Sequence, residues 1–336
     1  MKSKKILLAN TLLLLALLIF ILVPSIVNSL FSLGGDIKGD LSLLISGGTT
    51  VITFGGIALL YCIITKREFS KVMVIKKISL KQVFLIMLVS FGTYIFAVGV
   101  NSVSMKLFPV AIKDGMEISR LLSSSTTLLG LIVVVLVPAF FEEVFFRGVL
   151  LDAYEGINIK IKYFILILIF ATFHGNVMQI IYVMFLGFVL LKVREYTGSL
   201  VGSMTLHALN NGISFTLSKV AMSISTPGIK DGLIDPKQIE ATAEAMNSSF
   251  LVVILRSSIF FIIGGYILYI NLRKLRDYKE SKVDIRLSEE DVELIGKGYT
   301  SIYSEIKAKD KNMDKKKYIP LVIYFVSITV LVILRY

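Results

Sequence analysis

The sequence predicts an all-α, polytopic integral membrane protein of about eight to nine transmembrane helices. Three observations carry that expectation. Of the 336 residues, 55% are hydrophobic and 18% charged, with a mean hydropathy of +0.79, whereas soluble domains carry about 25% charged residues. The apolar residues gather into separate stretches, most of them with the roughly 17–25 residues that cross about 30 Å of hydrocarbon. The basic residues cluster between those stretches rather than inside them.

Taken in order, helices are expected over 6–23, 43–65, 82–105, 127–150, 161–174, 177–193, 198–218, 249–271 and 319–334. The first follows a Lys-rich start, as a cleaved signal peptide would, but its apolar run is long for one and a retained helix is expected. The stretches 161–174 and 177–193 are short and joined by Gly175-Asn176, which reads as a tight helical hairpin. Asp235-Pro236 is an N-cap with a proline at the first turn, predicting a short outward helix over 236–246. Ser288 before Glu289, Glu290 and Asp291 caps a cytoplasmic helix. Its Val292, Ile295, Tyr299, Ile302 and Ile306 share one face, a stripe expected to pack on protein or membrane rather than to hold a cofactor. The chain therefore divides into N-terminal transmembrane helices (1–119), a central core (120–218) and a last part (219–336). That last part holds an outward loop, a transmembrane helix, a basic segment over 272–318 and a final helix.

The formal charge is +12, concentrated at Lys2–Lys5, Lys66–Lys81 and Arg273–Lys317. By the positive-inside rule the N-terminus, 66–81, 194–197 and 272–318 face the cytoplasm. The segments 24–42, 106–126 and 219–248 and the C-terminus then face outward. Nucleic acid is not an expected partner, because no recognition motif or interleaved aromatic pattern accompanies the charge. The bilayer and a membrane-borne peptide are. The single cysteine, Cys62, lies in an apolar run, which excludes a disulfide framework and a cysteine metal site. The excess of lysine over arginine favours a bacterial cytoplasmic membrane.

Ionisable groups inside apolar segments are costly and point to function. The chain has two histidines, His174 and His207, and both sit in such segments, as does Glu142-Glu143. On a helix Glu143 and Arg147 are four apart, with the acid on the N-terminal side that favours pairing. Glu142 is rotated by about 100° from that face and stays available as a base. Phe170 and His174 share one helical face, and His207 and Asn211 share another. A carboxylate with a histidine can activate water, and a histidine with an asparagine can stabilise an oxyanion. That set suits amide hydrolysis without a covalent intermediate and without a cofactor. A zinc ion held by Glu142, His174 and His207 is the competing version, though no His-Glu-x-x-His supports it.

Glu-Glu-x-x-x-Arg (142–147), Phe-x-x-x-His (170–174) and His-x-x-x-Asn (207–211), in that order on separate helices, resemble the three motifs of the CPBP family. This family comprises the CAAX-type prenyl protein endopeptidases and the bacteriocin-processing or immunity (Abi) membrane proteins. The resemblance covers roughly 120–218 and implies an intramembrane endopeptidase open to the cytoplasm. It further implies that Glu142 and His174 activate the water, that His207 and Asn211 form the oxyanion hole, and that Glu143 and Arg147 brace the site. The substrate implied is a prenylated or membrane-inserted peptide. A non-catalytic immunity or scaffold protein of the same fold is the alternative. A proton-coupled transporter is a weaker one, since no inverted repeat is present.

Overall fold

Backbone groups in hydrocarbon find no water, so each apolar stretch closes its hydrogen bonds within a helix. The computed structural model describes residues 2–31, 39–109, 125–225, 248–284 and 315–335. All nine expected stretches are helical there, and no strand occurs among the described residues. They form α1 (Lys2–Phe31), α2 (Asp40–Thr65), α4 (Leu80–Leu107) and α5 (Thr127–Ala153). These are followed by α6 (Ile159–Phe173), α7 (Val177–Thr197), α8 (Leu200–Ser225), α9 (Phe250–Asp284) and α10 (Ile319–Arg335). A short α3 (Phe69–Met73) lies in the basic loop between α2 and α4. The helices expected over 236–246 and after Ser288 fall outside the described residues.

Six of the described helices, α1, α2, α4, α5, α9 and α10, are long and apolar enough to cross a membrane. The expected count of eight to nine is not reached, and the difference lies in α6, α7 and α8. α6 has 15 residues, about 22 Å of helix, which is short of the hydrocarbon thickness. α7 carries Lys192, Arg194 and Glu195 near its end, and α8 carries His207, Asn210 and Asn211 midway. The midway polar residues of α8 belong to the candidate site.

The charge bias is mirrored in space. Asp152 at the end of α5 meets Lys5 of α1 at 3.3 Å, Arg67 after α2 at 2.5 Å and the Tyr61 hydroxyl at 2.7 Å. On the same side Lys279 of α9 donates to the Glu195 carbonyl of α7. At the other end Thr126 bonds Asp40, and Lys219 of α8 reaches the Ser125 carbonyl. Ends assigned to one side of the membrane by charge therefore meet at one face.

α6 is capped by Asn158, whose side chain accepts from Lys160 N–H at 3.0 Å. The turns after α6 and α7 use Gly175 (φ 59) and Gly198 (φ 63), left-handed positions where glycine carries no Cβ penalty. The hairpin expected at Gly175-Asn176 is thus formed. α10 packs on α1 and α6, with the Tyr324 hydroxyl 3.1 Å from the Ile169 carbonyl and from Thr172 Oγ1. Asn10 of α1 accepts from Tyr154 at 2.8 Å and donates to the Lys317 carbonyl at 3.0 Å. The last helix thereby stiffens the helix that carries His174.

The core beside the site is aromatic. Phe54 of α2 stacks on Phe145 at 5.2 Å and meets Phe146 edge-on at 5.5 Å; Phe146 in turn meets Phe170 at 5.0 Å. Every residue from Val144 to Leu150 is buried. The loop around α3 is strapped over this core. A Cβ on Gly148 would stand 2.3 Å from the Met73 sulfur, so a larger residue there would push the Met73 side chain aside. Val74 adopts φ 49, a conformation uncommon for a β-branched residue. It is held there by Leu200 N–H donating to its carbonyl at 3.2 Å and by the Ser199 hydroxyl, which bonds both backbone groups of Lys76.

Candidate active site

The acidic motif sits on a helix that is not a regular α-helix. π-helical turns at Leu131–Leu136 and Val144–Val149 flank the α-helical Val137–Glu143. Such turns are rare and recur at functional sites. Pro138 has no N–H to return to the carbonyl four residues earlier, Val134. Asn211 of α8 fills that gap, its Nδ2 donating to the Val134 carbonyl at 3.1 Å. One amide N–H of Asn211 is used in this way, and the amide has a second.

Glu143 and Arg147 form the pair expected from their spacing, with Nη1 2.9 Å from Oε1. The carboxylate is fully buried and the guanidinium is 2% exposed. Arg147 is also stacked over the Phe170 ring, 4.0 Å from its centroid. Its Nη2 lies 3.4 Å from the Gly187 carbonyl of α7. Gly187 permits this approach, because a Cβ there would stand 3.2 Å from Phe170 and 3.7 Å from Arg147. Phe170 thus serves three groups at once. Its ring meets His174 edge-on at 5.2 Å and His207 at 6.1 Å.

His207 lies between the two acids. Its Nδ1 is 3.0 Å from Glu143 Oε1, and its Nε2 is 4.0 Å from Glu142 Oε2. The pairing of His207 with Asn211 expected from the helix face is not a direct contact: His207 turns toward the carboxylates while Asn211 turns toward Val134. The Glu142 side chain is 18% exposed, and its Oε2 is buried without a hydrogen-bond partner. His174 has Nδ1 2.9 Å from the Phe170 carbonyl. A carbonyl can only accept, so Nδ1 carries the hydrogen and Nε2 of the neutral ring is left as an acceptor. Among the described residues no three His, Cys, Asp or Glu side chains gather closely enough to hold a metal ion.

A cavity of roughly 310 Å³ opens between α2 and α5, the helix that carries Glu142. Gly55 and Leu59 line one wall, Phe140, Phe141 and Val144 the other, and Phe69 of α3 its rim. The lining is apolar.

Residues 124–213 match the family described as Rce1-like, type II CAAX prenyl endopeptidase Rce1-like. The match covers 90 of the 336 residues, from just before α5 into α8. The matched segment contains Glu142, Glu143, Arg147, Phe170, His174, His207 and Asn211, so all three motifs fall inside the Rce1-like region. Proteins of this family are proteases. No curated protein and no solved structure matches the chain. Within the matched segment, residue spacing alone did not single out Gly187, Asn210 or Arg194. Asn210 is buried and donates to the Tyr182 hydroxyl; a buried asparagine next to Asn211 was its only trace in the sequence.

Proposed function

We propose that this protein is an intramembrane endopeptidase that hydrolyses a peptide bond of a prenylated CAAX-type or membrane-inserted peptide, with Glu142 as the base. The observation that carries this reading is the division between neighbouring acids. Oε2 of both acids has no hydrogen-bond partner, but Glu143 is fully buried and tied through Oε1 to Arg147 and His207, while Glu142 is 18% exposed and meets His207 Nε2 only at 4.0 Å. Glu142 accepts a proton from water as the water oxygen bonds to the substrate carbonyl carbon. His174 Nε2 accepts the second water hydrogen and orients the molecule. The carbonyl electron pair moves to its oxygen, whose charge is received by His207 and the second amide N–H of Asn211. Collapse breaks the C–N bond, and the proton on Glu142 passes to the departing amine. Glu143 and Arg147 keep His207 in place. The apolar cavity between α2 and α5 suits the hydrocarbon chain of such a substrate.

The reaction as written needs no metal, and the protein is assigned to a bacterial cytoplasmic membrane. The test is cleavage of a farnesylated CAAX peptide by the purified full chain in detergent or lipid. Glu142→Gln is expected to lower kcat by about 10²–10⁴-fold, the usual scale for a general base, with an unchanged unfolding profile. Full activity in that variant would overturn the mechanism. Activity should persist with chelator; loss that zinc restores would favour Glu142, His174 and His207 as ligands instead.

A further inference from the structure

Arg194 lies on α7 seven residues after Gly187, which returns it to the same helical face about 10.5 Å further along. Side chains on a helix lean toward its N-terminus, so Arg194 leans back toward the Arg147–Gly187 contact. It is 8% exposed. Its partner is the Met73 carbonyl, 3.4 Å from Nη2, well beyond the usual 2.9–3.0 Å of an N–H···O bond. Its Nε is buried with no hydrogen-bond partner. Among the described residues no carboxylate forms a salt bridge with it. Glu143 is close enough to interact electrostatically but makes no salt bridge with it, its Oε1 being held by Arg147 and His207. A buried cation with its inner edge unfilled is an expensive arrangement. The missing element is an anion that takes Nε and one Nη together, as a carboxylate does.

Resting on the proposed peptidase reading, we propose that Arg194 receives the terminal carboxylate of the peptide that is cut. Arg194 lies on the face where Asp152, Arg67 and Lys5 meet, the side assigned to the cytoplasm, from which a C-terminal peptide would enter. The Met73 carbonyl holds the place of the anionic oxygen at long range, and the strap at Val74 is the part of the chain that would give way to the peptide. Arg194 then selects peptides that end in a free carboxylate.

The experiment compares a farnesyl-cysteine peptide carrying three aliphatic residues after the cysteine, as the free acid and as the C-terminal amide. The native full chain should prefer the acid in kcat/KM by roughly 10- to 100-fold, the scale of a charge-assisted hydrogen bond pair. Arg194→Gln should lose that preference by slowing the acid while leaving the amide rate unchanged. Arg194→Lys should keep part of it. Equal cleavage of acid and amide by the native chain overturns the inference without touching the peptidase reading, and it needs no variant to fold. Retention of the full preference by a folded Arg194→Gln overturns it too. Failure of the native chain to cleave either peptide overturns the peptidase reading and this inference together.

Discussion

Replacing Arg147 by methionine tests whether the brace is real. The substitution keeps much of the side-chain volume but leaves Glu143 fully buried with one strong partner removed. Breaking a buried pair by removing one member typically costs 3–5 kcal/mol. Two further contacts are lost with the guanidinium. Its stack on Phe170 at 4.0 Å is worth up to about 2 kcal/mol when desolvated. Its contact with the Gly187 carbonyl, at 3.4 Å, contributes little. Against this, Glu143 keeps His207 at 3.0 Å, which caps the loss. The expected destabilisation is therefore about 3–5 kcal/mol. Adding Glu143→Gln should recover at least about 2 kcal/mol, because the stranded charge goes with it. The assay is chemical unfolding in a fixed detergent, read as a double-mutant cycle. A single-variant loss below about 1 kcal/mol, or a coupling near zero, would refute the argument that the pair's value lies in mutual neutralisation.

Three other outcomes are expected. Gly264→Ala should loosen the contact of α9 with α4, since its Cβ would meet the Phe96 backbone nitrogen at 2.5 Å. A loss of about 1–3 kcal/mol is expected in the same unfolding assay, whereas Gly48→Ala, which faces open space, should be near neutral. Asn211→Leu strands the Val134 carbonyl and should cost about 1–3 kcal/mol in unfolding free energy as well as slowing peptide cleavage. Asp152→Asn should release α1 and the loop after α2 from the end of α5, seen as faster proteolysis within 66–79. An unchanged cleavage pattern would show that the cluster does not hold the strap.

Much of the architecture is encoded locally. Lipid-facing helices must be apolar and self-bonded, so composition and run length by themselves located all nine helical stretches, and loop charge located which ends share a face. The Glu143–Arg147 pair was legible for the same reason, since an i,i+4 spacing needs no knowledge of other helices. Three features were decided by tertiary structure. The span count fell short because α6 is too short, α7 ends in charged residues and α8 carries polar residues midway, and where those polar groups sit depends on how the helices pack. His207 turned to two carboxylates and Asn211 to the carbonyl orphaned by Pro138, a choice among partners on different helices that no spacing rule can make. Arg194 drew no notice in the sequence because a lysine- and arginine-bearing helix end reads as solvated charge, and burial beneath the α3 strap is a property of the packed chain. Periodicity within one segment determines which residues share a face; which of them meet depends on how the helices cross.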